Sequence, residues 1–204
     1  YGVLLCVNGT GICNRWVKQH TVDNRAGTVG YAELNEIAAQ APIGSEGVVV
    51  LPFGNGAERT LENNDIGASV HGINFNIHRR EHLVRASQEG IVFSLAYGLA
   101  VMRGMGLTID RIKAGHANMF QSPLFREAFL ATSDATLELY STDGAEGAAR
   151  GAGLGAGVYA TPAQAFAGLA HDQTMEPAAL RSEVRDAYGA AYERWLDVLK
   201  RELR

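Results

Sequence analysis

Two short extended runs alternate with two helical runs between residues 109 and 157, and short connections join all four. The runs IDRIK and LELYS, at residues 109–113 and 137–141, predict strands. SPLFREAFLAT between them predicts a helix, with Ser122 as N-cap and Pro123 at the first helical position. This order is typical of a βαβα unit with two parallel strands. Ligands bind such units where a strand ends and the next helix begins, so the sequence offers two candidate crevices.

The second crevice precedes a glycine-rich run, TDGAEGAARGAGLGAGVY, which has six glycines in eighteen residues. A dinucleotide fingerprint starting at Gly151 would require glycine at position 156, where the chain has Ala156. Asp143 and Glu146 have the spacing of a capping box, and two carboxylates at a helix N-terminus would repel a phosphate. The favoured interpretation is a helix of small residues packed close to a sheet. A phosphate loop is the alternative.

The first crevice, AGHANMFQSPLFREAF at residues 114–129, has no acidic residue before Arg126. Gly115 and Ala117 are small enough to let a flat base or a phosphate approach the backbone. His116, Asn118 and Gln121 can supply hydrogen bonds. From these residues alone, a plain turn between a strand and a helix remains equally compatible.

The remaining segments predict one domain without a linker. Helices are expected near residues 10–20, 32–41 and 79–103, and a docked amphipathic helix, rather than a coiled coil, near the C-terminus. The run VVVL predicts a buried strand stopped by Pro52 and Gly54, and GASVHGINFNI predicts a second extended segment. Trp16 and Phe125 are expected in the core rather than as stacking platforms for a base.

Composition and charge exclude several classes of protein. The net charge is −4 and no stretch concentrates Lys and Arg, which argues against a nucleic-acid partner. The longest apolar run is shorter than the roughly 20 residues of a membrane span, so no membrane association is expected. Cys6 and Cys13, expected on a helical face, fit reduced thiols of a cytoplasmic protein. Because the chain opens at Tyr1 without an initiator methionine or a signal peptide, we expect a piece of a longer protein.

Two polar groups allow more than one interpretation. His78 and His82 lie among arginines, which disfavour a bound cation, so with His71 they are interpreted as a solvated helix start and not as a metal site. The segment Glu58-Arg59-Thr60 is either a cleft-lining element or a surface ion pair.

Taken together, RIKAGHANMFQSPLFREAF and LELYSTDGAEGAARGAGLGAGVY resemble the C-terminal domain of the FGGY carbohydrate kinases, in particular its xylulokinase-like members. GVVVLPFGNGAERT and ASVHGINFNIHRREHLVRASQEGIVFSL extend the resemblance over most of the chain. The resemblance implies an α/β fold of the ribonuclease H-like, actin-like ATPase class, a mixed sheet flanked by helices. It also implies that residues 1–204 form a C-terminal nucleotide-binding domain.

The same resemblance assigns candidate residues to the nucleotide. GTGICNRW matches a helix start near the phosphates, giving Gly11 and Arg15, and AGHANMFQ matches the adenosine loop, giving Gly115, His116, Ala117 and Gln121. This loop has one glycine where relatives have consecutive ones. Gln88 stands where an apolar residue is usual.

The implied cofactors are ATP and Mg²⁺, and the implied partners are a sugar, such as a ketopentose or a polyol, and the protein's own N-terminal domain. A homodimer is also compatible with the resemblance. The family's D-x-G-T hairpin and its G-D-N segment with the catalytic aspartate have no match here, and VDN at residues 22–24 is interpreted as a surface turn. We therefore expect no catalytic residue in this chain and no turnover by it alone. A non-catalytic nucleotide sensor or assembly module on the same fold is the alternative.

Overall fold

The structure is a computed structural model that describes residues 2–22 and 29–204. The longer helices are α1 (Thr10–Val17), α2 (Tyr31–Ala38), α3 (Arg80–Gly104), α4 (Pro123–Ser133), α5 (Gly144–Gly155), α6 (Pro162–Ala165) and α7 (Ser182–Glu202). The strands are β1 (Val49–Phe53), β2 (Gly67–His71), β3 (Arg111–Gly115), β4 (Thr136–Tyr140) and β5 (His171–Met175). The turn predicted at VDN falls largely outside the described residues.

The predicted βαβα unit is confirmed. Strands β3 and β4 are parallel, with Ile112 opposite Leu137, and α4 connects them. Strand β5 adds antiparallel to β4, so the three-stranded sheet is mixed. Strand β3 begins two residues later than predicted and extends to Gly115, because its ladder with β4, rather than its hydrophobicity, fixes its ends.

Strands β1 and β2 form a separate antiparallel pair, and β1 is buried along its whole length against α3. The two elements approach so closely that a Cβ at Gly90 would collide with the carbonyl oxygen of Val50. Pro52 lies inside β1 instead of ending it. Since β1 pairs on one side only among the described strands, a residue without an N–H is tolerated there.

Helix α7 closes the core, which confirms the predicted docked helix. The Trp195 side chain is 1% exposed, and its indole N–H donates to the Val50 carbonyl oxygen at 3.0 Å. Phe125 is also buried, as predicted. Trp16 is not: its side chain is 57% exposed and lies against His20, because the buried face of α1 is formed by Asn14 and Val17.

A buried ion pair ties α3 to α7. Arg85 donates from Nε to Glu89 at 2.7 Å, from Nη2 to the Tyr188 hydroxyl at 2.9 Å and from Nη1 to the Ala41 carbonyl oxygen at 2.8 Å. The Gly44 N–H also donates to Glu89. Burial raises the pKa of the Glu89 carboxyl, and Arg85 opposes that shift.

The glycine-rich segment forms helix α5, but the expectation that it packs close to a sheet is wrong. None of its residues is buried, and a Cβ at Gly147 or Gly151 would meet no atom within 4 Å. The helix is held instead by Arg150, whose guanidinium donates to the Ala165 carbonyl oxygen at 2.6 Å. Gly147 and Gly151 therefore face open space, among the described residues, rather than a sheet.

The capping box predicted for α5 is half formed. Asp143 Oδ1 accepts the N–H of Glu146 at 2.8 Å, as expected of an N-cap. The Glu146 carboxylate does not return the bond, because it accepts from Arg150 and Thr142, which together hold the pKa of Glu146 below its ordinary value.

The histidine and cysteine predictions hold only in part. His82 is buried rather than solvated: its Nδ1 accepts the N–H of Arg79 at the start of α3, and its Nε2 lies 3.1 Å from Glu46. Both cysteines are free thiols, but Cys6 precedes α1 instead of sharing a helical face with Cys13. Burial raises the pKa of the Cys13 thiol to about 11.

Gly147→Ala should stabilise the chain by about 0.5–1 kcal/mol, because the new methyl group meets open space while the helix loses a flexible residue. Urea denaturation followed by circular dichroism measures the change. Gly90→Ala, whose methyl group collides with Val50, is the matched control and should lose stability. A destabilised Gly147→Ala variant would show that α5 packs closely against other atoms.

Glu89→Ala should lower the free energy of unfolding by about 3–5 kcal/mol, because it leaves the Arg85 guanidinium buried without its counter-charge. The same denaturation experiment on Glu193→Ala, an exposed position of α7, should show a change within about 0.5 kcal/mol. Equal effects of the two substitutions would contradict the importance of the buried pair.

Candidate functional site

A buried carboxylate positions the start of helix α1. Glu58 is fully buried and accepts the N–H groups of Asn8 at 2.8 Å and Gly9 at 3.0 Å. Thr60 donates from its hydroxyl to the Cys6 carbonyl oxygen at 2.8 Å. Glu58 and Thr60 therefore support the chain that enters α1, and Glu58 does not form the surface ion pair that is one of the two alternatives from the sequence. The other alternative, a cleft-lining element, stays a prediction.

The N-terminus of α1 is open to a ligand. Gly9 occupies the N-cap position without a side-chain cap, and the first turn contains no acidic residue. A Cβ added at Gly11 would meet no atom within 4 Å, so space lies beside the second residue of the helix. Free N–H groups at such a helix start favour a negatively charged ligand, although the buried Glu58 nearby weakens the effect.

The turn between β3 and α4 forms the facing wall. Gly115 ends β3 so close to the Thr142 carbonyl oxygen that a side chain at this position would collide with it. Residues Asn118–Gln121 make a single 3₁₀ turn, and Ser122 then caps α4 by accepting the N–H of Phe125 at 3.3 Å. The predicted cap, with Pro123 in the first turn, is confirmed.

Arg126 holds this turn from below. Its Nη1 donates to the Phe120 carbonyl oxygen at 2.7 Å and to His116 Nε2 at 3.0 Å. His116 therefore carries its proton on Nδ1, which lies 3.3 Å from Asp172 of β5. Burial lowers the pKa of the Arg126 guanidinium below its ordinary value.

The two walls enclose a cleft of about 660 Å³, which we call the base cleft. Its size is that of a small-molecule site. Every side chain that lines it is uncharged, and carboxamides supply most of its polar groups. The lining residues are Gly11, Asn14, Tyr31, Ala32, Asn35, Ala117, Asn118, Met119, Gln121 and Ser122.

A second cleft of about 390 Å³, which we call the helix-start cleft, adjoins the first and shares with it Gly11, Ala117, Asn118 and Met119. The N-terminal residue of α1, Thr10, and the N-terminal residue of α5, Gly144, both border it. Asp143 lines it too, so this cleft contains one carboxylate.

Four of the six candidate residues lie around these clefts. One comes from α1 and three come from the β3–α4 turn, more than a hundred positions later in the sequence. Gly11 and Ala117 line both, Gly115 lines the helix-start cleft, and Gln121 lines the base cleft. Arg15 is exposed on α1 and His116 is held by Arg126 and Asp172, and neither belongs to the lining of the two clefts. Roles in nucleotide binding stay predictions for all six.

Three residues that shape the base cleft have no functional assignment from the sequence. Asn14 and Asn35 line it, and Gln88, fully buried on α3, donates to Asn35 Oδ1 at 2.9 Å. From the sequence, Gln88 is only a polar residue at a position where an apolar one is usual. Asparagine inside a short helix, as at position 14, was the available signal for a polar wall.

Within residues 2–22 and 29–204, no three His, Cys, Asp or Glu side chains are grouped so that they could hold a metal ion. None of the helices described there combines the length and the apolar character that crossing a bilayer requires.

Comparison with known proteins identifies sugar kinases as relatives. The chain is 43% identical over 81 residues to a xylulose kinase of Haemophilus influenzae, and 31% identical over 115 residues to a gluconokinase of Bacillus subtilis. These matches cover 40% and 53% of this chain but only 16% and 22% of the relatives' lengths. No family model matches the chain.

Solved structures share the fold over nearly the whole chain. A ligand-bound xylulose kinase from Lactobacillus acidophilus matches with a TM-score of 0.76 at 18% identity, covering 95% of this chain and 38% of that one. Plasmodium falciparum glycerol kinase, solved with ADP, matches with a TM-score of 0.63 at 20% identity, covering 98% and 38%.

These likenesses confirm the predicted fold class, the α/β architecture of the actin-like ATPases with a mixed sheet flanked by helices. In sequence and in fold the chain is therefore similar to carbohydrate kinases, which confirms the resemblance to the FGGY family that its motifs indicate.

Proposed function

We propose that this chain is the C-terminal, nucleotide-binding domain of an ATP-dependent sugar kinase, and that the nucleotide binds in the two adjoining clefts between α1 and the β3–α4 turn. One observation carries the proposal: Gly11, Ala117 and Gln121, assigned to the nucleotide by separate motifs, border one cleft of about 660 Å³. The sugar kinases related to the chain support the same activity. So does the shared fold of a glycerol kinase that was solved with ADP.

The chemistry of the two clefts matches the two halves of a nucleotide. The base cleft is uncharged and combines carboxamides with Tyr31 and Met119, which suits the flat polar base of a nucleoside. The helix-start cleft contains the uncapped N-terminus of α1, which suits a phosphate group. A nucleotide lying across both would pass Gly11 and Ala117, where a larger side chain would block it.

Bound ATP supplies the transferable phosphoryl group, and Mg²⁺ neutralises its charge. In this proposal, the backbone N–H groups of the first turn of α1 donate hydrogen bonds to the phosphates, and the absence of a side chain at Gly11 leaves room for them. Asp143 adds a negative charge to the helix-start cleft, which the metal on the phosphates would offset. The catalytic aspartate and the D-x-G-T hairpin belong to the N-terminal domain of the complete kinase, which also contributes most of the sugar contacts.

The names of the relatives suggest a ketopentose or a sugar acid as the phosphoryl acceptor, since they include a xylulose kinase and a gluconokinase. A xylulokinase-like activity is the form of the proposal that the sequence resemblance favours. Catalysis of phosphoryl transfer depends mainly on positioning the reactants and stabilising charge. This chain would therefore contribute by fixing ATP against one wall of the site.

Gly11→Phe should weaken ADP binding by more than about tenfold, because its Cβ starts in open space and the ring would occupy volume at a residue that lines both clefts. Isothermal titration calorimetry of the 204-residue chain with ADP and Mg²⁺ measures the affinity. Gly151→Phe, an exposed glycine of α5 that is also in open space, is the matched control and should bind like the wild type. Equal affinities of the two variants, or no binding by the wild type, would contradict the site.

The isolated chain should phosphorylate no sugar, whereas a polypeptide that includes the N-terminal domain should produce ADP only when a suitable sugar is added. A pyruvate kinase and lactate dehydrogenase coupled assay, run against a panel of ketopentoses, polyols and sugar acids, measures both. ADP release by the longer polypeptide that no sugar stimulates would favour the nucleotide sensor instead.

A further inference from the structure

The base cleft contains one carboxamide that the protein leaves without a partner. Asn14 is 5% exposed on the inner face of α1, and its Oδ1 is sealed from water with no hydrogen bond among the described residues. Buried carboxamides are normally paired, so an unpaired one on a cleft wall indicates a group that a ligand completes. Helix α1 is held by Glu58 and α3, so the carboxamide stays at this position.

The other polar groups of this cleft are already engaged or placed at its rim. Asn35 Oδ1 accepts from Gln88, which leaves only the donor side of that carboxamide for a ligand. Gln121 and Asn118 lie on the exposed opposite wall. Asn14 is therefore the one lining carboxamide, among the described residues, whose acceptor oxygen is both buried and without a hydrogen bond.

We propose that Asn14 selects adenine, its carboxamide pairing with the exocyclic amino group and an adjacent ring nitrogen of the base; the inference rests on the nucleotide site proposed above. A carboxamide offers one acceptor and two donors side by side, and the amino edge of adenine offers a donor beside an acceptor. Because Oδ1 is sealed in the unliganded chain, the side chain must turn about both its Cα–Cβ and its Cβ–Cγ bonds to bring Oδ1 and Nδ2 together to the cleft surface. Guanine presents two acceptors on the corresponding major-groove edge, which a carboxamide does not match.

The test compares ADP with the diphosphate of purine riboside, which differs from ADP only by lacking the exocyclic amino group. Titration calorimetry of the wild-type chain should show ADP binding roughly 5- to 150-fold tighter, the range of a bidentate pair between a carboxamide and a base. In Asn14→Leu, which keeps the side-chain volume, the two ligands should bind within about twofold of each other. Asn55→Leu, at an exposed turn outside both clefts, is the matched control and should keep the wild-type preference.

The outcomes separate this inference from the function on which it rests. If the wild type binds both ligands equally, or if Asn14→Leu keeps the preference, the role of Asn14 is wrong while the nucleotide site stands. If the wild type binds neither ligand, the nucleotide site itself is wrong, and the role of Asn14 with it. Urea denaturation should show Asn14→Leu at least as stable as the wild type, because the substitution removes a buried oxygen that has no hydrogen bond. The wild-type ligand comparison holds even if that variant fails to fold.

Discussion

The hydrogen bonds of one buried carboxamide join α2 and the start of α4, two elements that line the proposed site. Gln88 lies fully buried on the central helix α3, donates to Asn35 of α2 and accepts a long bond of 3.5 Å from Ser122, the N-cap of α4. Burying a carboxamide costs free energy unless it is hydrogen-bonded, so this residue favours the arrangement in which α2 and the start of α4 both face it. These hydrogen bonds explain why position 88 has a glutamine where an apolar residue is usual.

Close contacts between backbone segments at two glycines position the other elements around the site. The Gly90 contact with Val50 sets α3 against β1, and the Gly115 contact with Thr142 sets the end of β3 beside the segment between β4 and α5. Both contacts exclude a side chain. Glu58 fixes the entry to α1 by accepting two backbone N–H groups, so a charged side chain serves the fold while the cleft itself stays uncharged. The result is a neutral cleft beside a helix start, which separates the binding of a base from the binding of phosphate.

Local sequence signals predicted the parts that depend on local physics. The Ser122-Pro123 start of α4, the buried strand β1 and the parallel β3–β4 pair follow from capping, hydrophobic runs and the short connections between them. The bounds of β3 did not, because the partner strand determines them. The exposure of Trp16 and of α5 depends on which neighbours the fold brings near, and periodicity alone does not report that. The sequence does not predict the roles of Asn14 and Asn35 for the same reason, since the two carboxamides form a polar wall only when α1 and α2 are folded beside one cleft.

The most direct test of the account is a crystal structure of this chain soaked with ADP and Mg²⁺. The account predicts electron density for the purine between α1 and the 3₁₀ turn Asn118–Gln121, with the diphosphate running past Gly11 towards Thr10. Purine density instead in the cleft of about 430 Å³ on the other side of the β3 end, between Tyr140 and Phe166, would contradict it.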